Sequence, residues 1–473
     1  MKKIKHFILV IITPFLLFCF SGCQANFSSF KPALGEEGEV FVYLQPFPQE
    51  AERLTFDLEE VSAVRQDGAE FPLSISLKSF AAPALRRQRL LAAGVLPPGR
   101  YRGLSFKPGK ALLHTDEGEA SLLIPKDPVV SDLPFTIARK KATPLFLNFL
   151  YQQSVIGGFS FNPAFSLFQP GKPVTGLVGY VSNSAENTIT VFDKKSGQVI
   201  SVLATGRGPK GIAFDRVRNR AYVALSEEDS VMAIDITTGE PLNTIRLHAG
   251  AGPRDLALAP DGQTLLSVNP GSNTVSFIDT LSYLELGWTN VEYSPASILL
   301  DPSARNKAYV FNELSNSLSV IDIAKRAVAS SSPTDTGPLR GQFSRNGGLI
   351  YIIYQRSPYL TIMDPASRQS TNRVYIGVPA EALKVDVKTG LIYVAGMRRG
   401  EVEIYEPLSL VAVDFIAAES SVSYLTIDDQ ENSLLLLSPG SRTLASVNIN
   451  TKNTVYTLDV GEDPYQVTLM GER

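Results

Sequence analysis

The chain is poor in the residues that most often perform catalysis. It contains three histidines, at positions 6, 114 and 248, and two cysteines, at positions 19 and 23. Histidines so few and so dispersed do not predict a copper, zinc or haem site, and there is no CxxCH motif for haem attachment. Serine catalysis would have to use His114 or His248, but no nucleophile-elbow motif flanks either residue. Both are therefore interpreted as exposed surface histidines, and no cofactor or metal is expected.

A second set of chemically capable residues follows prolines that recur along the C-terminal two thirds of the chain. We interpret each of these prolines as the start of a strand, with the next one or two residues at the strand's entry. The residues at those entries are Lys210, Arg254, Asp255, Arg340, Glu381 and Tyr465. Arginine and lysine on one face could bind a carboxylate or a phosphate, and a tyrosine could add an amphipathic contact. The alternative is that these residues are ordinary solvated surface charges.

A repeat of 42 to 44 residues positions these strand entries. Its most regular mark is an acid or amide that ends a strand before a turn, as in "VMAIDITTG" at 231–239. The seven positions are Asp193, Asp235, Asp279, Asp322, Asp364, Glu406 and Asn448. Each of these side chains is expected to accept hydrogen bonds from backbone N–H groups of its own turn, so the seven do not converge on one site.

Four short strands can be traced in each repeat, which favours the blades of a β-propeller over a helical solenoid. The first copy opens at its second strand, "GYVSN", whereas the last copy ends in an extra first strand, "YQVTLMG" at 465–471. These halves complement each other, so we predict seven blades over 178–473, with the C-terminal strand closing the ring. The copies resemble YVTN-type propeller repeats of exported prokaryotic proteins, clearest in "AYVALSEEDSVMAIDITTGEPLNTIRLHAGAGPRDLALAPDG". That resemblance implies a fold but not a function, because related propellers serve as binding platforms, as adhesion modules and occasionally as enzymes.

Residues 38–165 lack the repeat and predict a separate antiparallel β-sandwich of short strands between Gly and Pro turns. The succession "VYL", "VSAVRQDG", "LPPGRYRGL" and "PLFLNF" resembles the DUF4382 domain of bacterial lipoproteins, which implies a fold and an envelope location. Residues 166–177, with two prolines, are predicted to be a stiff linker.

The N-terminus predicts export and lipidation. A basic head and a short apolar run form a signal peptide over residues 1–22. Phe20-Ser21-Gly22-Cys23 resembles a lipobox, with Phe where that pattern prefers Leu, so Cys23 is the expected lipidation site. Gln24 favours the outer membrane, because Asp at this position is a retention signal for the inner membrane in many Gram-negative bacteria. The lipid is the expected membrane anchor.

The overall composition argues against one class of partner, nucleic acid, and does not identify a specific partner. A net charge of −3 and a pI near 5.8 give no electrostatic case for nucleic acid. The leading hypothesis is a non-catalytic binding or scaffold platform for an envelope protein or a small ligand. Two alternatives stay open, a lactonase-like propeller hydrolase using Asp255 and Glu381 with a divalent cation, and a surface adhesion or structural module.

Overall fold

The regular secondary structure is almost entirely β-strand in a computed structural model that describes residues 31–81, 85–116, 118–171, 174–304, 306–397 and 399–472. The predicted signal peptide and Cys23 lie outside the described residues. Pro32–Arg473 form one compact unit. The described helical segments are short, and none is long and apolar enough to cross a bilayer. They are Gln49–Arg53, Tyr151–Ser154 and Thr175–Leu177.

The described N-terminal region contains thirteen strands. They are β1 Gly38–Leu44, β2 Leu54–Arg65, β3 Glu70–Pro72, β4 Ser74–Ile75, β5 Ser79–Phe80, β6 Arg89–Leu96, β7 Gly99–Thr115, β8 Gly118–Ser121, β9 Val129–Ile137, β10 Ala142–Phe149, β11 Val155–Ile156, β12 Ser160–Phe161 and β13 Phe165–Phe168. Strand β13 includes the first residues of the predicted linker.

Two larger sheets organise these strands. One has the order β13-β10-β1-β6-β4, and the other is built on β3-β2-β7-β8, with β5 beside β2 and β9 beside β7. The expectation of a wholly antiparallel arrangement is wrong for one pair, since β1 and β10 run parallel. A long connection separates these two strands in sequence, as parallel pairing requires. Val42, Leu147, Phe56 and Leu104, two from each sheet, belong to one buried apolar cluster, so the two sheets share a core.

Beyond residue 177, the described chain forms seven four-stranded antiparallel sheets. Named from the innermost strand outwards, sheet 1 consists of β41 Pro464–Leu469, β14 Val178–Asn183, β15 Thr188–Asp193 and β16 Gln198–Ala204, and sheet 2 consists of β17 Pro209–Asp215, β18 Arg220–Leu225, β19 Ser230–Asp235 and β20 Pro241–Arg246. Sheet 3 consists of β21 Asp255–Leu258, β22 Thr264–Asn269, β23 Thr274–Asp279 and β24 Leu284–Asn290; sheet 4 of β25 Pro295–Leu300, β26 Lys307–Asn312, β27 Ser317–Asp322 and β28 Ala327–Pro333; and sheet 5 of β29 Pro338–Phe343, β30 Ile350–Tyr354, β31 Tyr359–Met363 and β32 Ser370–Tyr375. Sheet 6 consists of β33 Ala380–Val385, β34 Ile392–Gly396, β35 Glu401–Tyr405 and β36 Ala412–Ala417, and sheet 7 consists of β37 Tyr424–Asp428, β38 Ser433–Ser438, β39 Thr443–Asn448 and β40 Thr454–Asp459.

The innermost strands bring the sheets together. Strand β17 contacts β21, and the contacts continue in chain order through β25, β29, β33 and β37 to β41. Strand β41 also contacts β17 and pairs with β14, placing Val467 opposite Val181. Sheets whose innermost strands contact one another around a common axis form a β-propeller.

The recurring acids lie where the sequence predicts. In sheet 2, Asp235 Oδ1 accepts hydrogen bonds from Thr237 N at 2.8 Å and Thr238 N at 3.0 Å. Asn448 and Glu406 accept bonds from their own turns in the same way. Gly239, which closes the first of these turns, has a φ of 74° that an L side chain rarely adopts. The prediction that these acids are turn residues is confirmed.

The N-terminal region packs against the first and last sheets. Gln88 accepts a hydrogen bond from Val199 N at 2.7 Å and donates one to Val199 O at 3.2 Å. Its neighbours Arg89 and Leu90 both donate to Asp459, at 2.9 Å from the Arg89 Nε and 3.0 Å from the Leu90 N. The segment therefore bridges outer strand β16 of sheet 1 and outer strand β40 of sheet 7. One apolar cluster joins the same parts of the molecule, and it includes Phe41, Tyr43, Leu90, Phe146, Phe192, Val199, Leu435 and Leu458.

A buried ion pair joins sheets 1 and 7 directly. Lys194 Nζ lies 2.9 Å from Asp428 Oδ1 and donates a second hydrogen bond to Met470 O at 2.7 Å. The two side chains are 0% and 1% exposed. Three separate chain segments thus meet where the first and last sheets adjoin.

Candidate functional site

Four of the six predicted site residues meet in two contact groups where the innermost strands begin, and a fifth, Asp255, interacts electrostatically with an arginine of each group. Proline suits the first position of such a strand because it has no N–H to offer the ladder. Pro209, Pro338 and Pro464 begin β17, β29 and β41. Because the sheets repeat around one axis, residues at equal offsets from these prolines point towards the same end of that axis.

The first group joins Arg254, Tyr465 and Lys210 across three sheets. Arg254 Nε donates a hydrogen bond to Tyr465 Oη at 2.9 Å, and Lys210 Nζ lies 5.8 Å from the centre of the same ring. Arg254 Nη1 lies 3.5 Å from Glu313 Oε2, with the two side chains 23% and 15% exposed. The pKa of Arg254 is raised, chiefly by Tyr465, with Glu313 and Asp255 adding to the effect against the opposing influence of burial.

The second group places a cation over an aromatic ring. The guanidinium carbon of Arg340 lies 4.5 Å from the ring centre of Tyr424, which is within the range of a cation–π contact. Burial raises the pKa of the Tyr424 hydroxyl, and Arg340 opposes that increase. Arg340 Nε is buried, and it has no hydrogen-bond partner among the described residues. This donor is available to an acceptor that enters the site.

Asp255 connects the two groups and also has a structural role. Its carboxylate accepts hydrogen bonds from Leu256 N and from Ile298 N of the next sheet, both at 3.0 Å. Burial raises the pKa of Asp255, although Arg340, the two backbone donors and Arg254 act in the opposite direction. The carboxylate therefore balances two guanidinium groups while it joins sheets 3 and 4.

Glu381 occupies the position in sheet 6 that corresponds to Asp255 and Arg340, two residues after Pro379, and is half-buried. It belongs to the candidate site by position. Among the described residues, no group of three or more His, Cys, Asp or Glu side chains could hold a metal ion.

Sequence reasoning missed Glu313 and Tyr424. Tyr424 begins β37, the innermost strand of sheet 7, and no proline introduces that strand, so the pattern that revealed the other residues passes over it. Glu313 lies in the turn after β26, and its approach to Arg254 joins residues 59 positions apart. Strand alternation alone could have drawn attention to Tyr424, but no local signal pairs Glu313 with Arg254.

The sequence predicts that His114 and His248 are both exposed, but the structure buries His248 much more than His114. His114 lies on β7 with 43% of its side chain exposed, near Thr55 and Glu119. His248 is not an exposed surface histidine, because its side chain is only 13% exposed and both ring nitrogens have hydrogen-bond partners. Those partners are distant in sequence, which is why the sequence gives no sign of them.

Taken together, the strand entries carry more cationic than anionic side chains. Lys210, Arg254 and Arg340 supply three cations, while Asp255 and Glu313 partly neutralise them. The Arg254–Glu313 separation of 3.5 Å is long for a charge-assisted hydrogen bond, so an incoming carboxylate or phosphate could make better geometry than Glu313 does. We call Lys210, Arg254, Asp255, Arg340, Tyr424 and Tyr465 the axial cluster.

Comparisons with known proteins agree on the fold. A family model described as a YNCE-like beta-propeller matches residues 178–388. No curated protein shows significant similarity to the sequence.

Solved structures resemble the chain at low identity. A functionally unknown protein from Desulfotomaculum acetoxidans DSM 771 is 14% identical with a TM-score of 0.53, covering 61% of this chain and 99% of that one. Dihydro-heme d1 dehydrogenase NirN in complex with DHE is 13% identical with a TM-score of 0.52, covering 64% of this chain and 78% of that one. Kuenenia stuttgartiensis hydrazine synthase is 17% identical with a TM-score of 0.49, covering 61% and 94%. The two structures with TM-scores of 0.53 and 0.52 show the fold alone, and with the family match they identify this chain as a β-propeller protein.

Proposed function

We propose that the chain is an exported, lipid-anchored binding protein whose seven-bladed propeller recognises an anionic group through the axial cluster. The seven four-stranded sheets would be the blades, with β41 closing the ring beside β14. The blades would be of the YVTN repeat type, and the two N-terminal sheets would form a DUF4382-like sandwich.

The buried Nε of Arg340 is the observation that carries the binding proposal. An unpartnered buried donor is costly, by roughly 1–3 kcal/mol and more for a charged group. An anion that accepts a hydrogen bond from this nitrogen would remove that cost. Arg254 and Arg340 both act electrostatically on Asp255, and Lys210 lies beside Tyr465 with Arg254, so one carboxylate or phosphate group would have several donors nearby.

The partial neutralisation of the cluster fits binding better than catalysis. Asp255 uses its oxygens to accept two backbone N–H groups, so it is poorly placed to act as a free base or a cation ligand. The mouth instead presents donors of fixed direction on rigid strands, which favours recognition of a planar or tetrahedral anion. The occupant would be a small ligand or an acidic side chain of an envelope protein.

Membrane attachment would come from a lipid at Cys23, with the outer membrane as the expected location. Because the N-terminal region packs on sheets 1 and 7 through Gln88 and Asp459, it would hold the propeller at a fixed orientation instead of acting as a loose stalk.

Titration calorimetry with citrate and with inorganic phosphate tests the binding proposal. The variant Lys210→Ala/Arg254→Ala/Arg340→Ala should weaken binding by roughly 1.5–3 kcal/mol for each charge-assisted hydrogen bond that is lost. Because Arg254 is only 23% exposed and Arg340 Nε is buried, the unfolding midpoint and circular dichroism of the variant are measured beside each titration, and affinity is compared at a temperature at which both proteins are folded.

The matched control is Lys110→Ala/Lys195→Ala/Lys325→Ala, which removes the same formal charge from exposed positions outside the cluster. Its affinity for both anions should equal that of the wild type. Equal losses in the two triple variants would mean that net charge, not the axial cluster, governs binding. Unchanged affinity in the cluster variant would reject the proposed site.

A further inference from the structure

His248, Ser272 and Glu285 form a hydrogen-bonded chain at sheet 3, and none of the three belongs to the axial cluster. His248 Nε2 lies 3.0 Å from Ser272 Oγ, and His248 Nδ1 lies 2.9 Å from Glu285 Oε1. The other oxygen of Glu285 accepts a hydrogen bond from His248 N at 2.8 Å. Glu285 is as enclosed as His248, while Ser272 is half-buried and reachable from outside.

The direction of each hydrogen bond follows from its partners. An ionised carboxylate only accepts, so a neutral His248 carries its proton on Nδ1 and leaves the lone pair of Nε2 for Ser272. Thr274 Oγ1 lies 2.7 Å from Ser272 Oγ, accepts a hydrogen bond from Asn269 Nδ2 at 3.0 Å and also lies 3.2 Å from His248 Nε2. Ser272 makes the shorter contact with Nε2, at 3.0 Å, so we assign its hydroxyl as the donor to the imidazole and the Thr274 hydroxyl as the donor to Ser272. Nucleophile, base and orienting carboxylate have the connectivity of a serine triad.

A bulge in the outer strand of sheet 3 assembles the group. The ladder between β23 and β24 shifts by one residue, so that Trp288 lies opposite Ser276 and Glu285 lies opposite Ile278. Ser276 and Ile278 are two residues apart on β23, so their side chains point to the same face of the sheet. Their partners Trp288 and Glu285 therefore also share one face, although they are three residues apart on β24, because the bulge adds one residue between them. The Trp288 ring stacks on His248 with centroids 4.3 Å apart.

Sheet 4 shows that the fold does not require this arrangement. Asn312 donates to Ser317 and Ser319 as Asn269 does to Thr274 and Ser276, so the buried hydroxyl network belongs to the repeat. Ser315 occupies the place of Ser272, but its hydroxyl lies 3.4 Å from Tyr293 O.

His248 and Glu285 have no counterparts in sheet 4. Val328 lies opposite Ile321, where sheet 3 has Glu285 opposite Ile278. The loop that enters sheet 4 at 292–294 is Glu-Tyr-Ser, without a histidine. The histidine and the carboxylate are therefore additions specific to sheet 3.

We propose that Ser272 is an activated nucleophile that accepts the acyl group of small esters. As Ser272 Oγ bonds to the ester carbonyl carbon, its proton passes to His248 Nε2, and Glu285 stabilises the imidazolium. The C–O bond to the leaving group then breaks, and His248 returns the proton to the departing alcohol. Water, deprotonated by the same nitrogen, releases the carboxylic acid and restores the Ser272 hydroxyl.

The surroundings favour esters with an apolar or aromatic group. Trp288 is 53% exposed, so one ring face covers His248 while the rest can contact an apolar substituent beside the serine. A p-nitrophenyl ester and a fluorophosphonate both fit this chemistry, the latter forming a Ser–O–P bond as its P–F bond breaks and fluoride leaves with the proton.

Peptide mass spectrometry after incubation with p-nitrophenyl acetate or a fluorophosphonate tests the proposal. Wild-type protein should be modified at Ser272 at least about 100-fold faster than at Ser315, because a positioned general base contributes roughly 10²–10⁴-fold. This comparison lies within one folded molecule and needs no variant. Equal modification of the two serines, or no modification of Ser272, would overturn the proposal.

Variants then separate nucleophile from base. Ser272→Ala should abolish the modification, His248→Gln should slow it by about 100-fold or more, and Glu285→Gln should slow it by a smaller factor. Ser315→Ala is the matched control and should leave the Ser272 rate unchanged. A His248→Gln protein with wild-type circular dichroism and an unchanged Ser272 rate would show that the histidine is structural.

Discussion

Replacing Lys194 by methionine should destabilise the propeller where its first and last sheets meet. Methionine keeps most of the apolar stem but removes the ammonium group that contacts Asp428 Oδ1 at 2.9 Å and Met470 O at 2.7 Å. Asp428 would then be a carboxylate with 1% exposure and no cationic partner at that position. Breaking a buried pair from one side costs roughly 3–5 kcal/mol, because the remaining charge stays desolvated.

The variant Asp428→Asn tests whether the unpaired Asp428 carboxylate causes the loss of stability in Lys194→Met. Asp428→Asn removes the charge yet retains an oxygen that can accept the backbone hydrogen bond from Gln430 N. The double variant Lys194→Met/Asp428→Asn should therefore lose less stability than the sum of the single variants, by about 0.5–3 kcal/mol. Urea unfolding monitored by circular dichroism measures each free energy of unfolding.

Lys388→Met supplies the matched control. Lys388 pairs with Asp429, next to Asp428 in the chain, but the two side chains are 57% and 44% exposed. An exposed pair contributes about 0–1 kcal/mol, so this variant should unfold nearly as the wild type does. A Lys194→Met loss no larger than the control loss, or strict additivity in the double variant, would refute the claim that the buried pair of Lys194 and Asp428 stabilises the junction of sheets 1 and 7.

Three further predictions concern the anchor, the final strand and a titrating carboxyl. Cys23→Ser should move the protein from the membrane fraction to the soluble fraction, and unchanged detergent-phase partitioning would contradict lipidation. Deleting residues 464–473 removes buried Val467 and Leu469, each worth about 1.5–3 kcal/mol, and exposes the edge of β14, so aggregation and a lower melting temperature should follow. Burial raises the pKa of Asp255 above its ordinary 3.8, so the wild type should lose stability relative to Asp255→Asn as the pH rises from 3 to 7. Urea unfolding at both pH values measures that difference, and a gap that is constant or reversed would show that the carboxyl does not have a raised pKa.

The repeat made much of the propeller predictable, because its signals are local. Each acid that ends a third strand contacts N–H groups two or three residues later, and such turns depend on adjacent residues alone. Equal offsets from recurring prolines also predicted that Lys210, Arg254 and Tyr465 lie close together. Because the sheets repeat around one axis, residues at equal sequence offsets come close in space, which is why Arg254 meets Tyr465 although 211 positions separate them.

Contacts outside the repeat could not be predicted in the same way. Gln88 reaches Val199, and Arg89 reaches Asp459 across 370 positions, with no periodicity that relates the partners. His248 obtains Glu285 through a bulge that shifts the register of β24, and neither residue belongs to a motif. Such pairs depend on how complete sheets pack, so they emerge from the tertiary structure and not from local sequence.

Anomalous diffraction from crystals soaked in sodium selenate tests the central claim most directly. Selenate is a tetrahedral oxyanion like phosphate, and its selenium marks its position without assumptions about the ligand. We predict a peak in the mouth of the axial cluster, with an oxygen within hydrogen-bonding distance of Arg340 Nε and others facing Lys210 and Arg254. Selenate bound elsewhere on the propeller while this mouth stays empty, at concentrations that saturate the calorimetric signal, would contradict it.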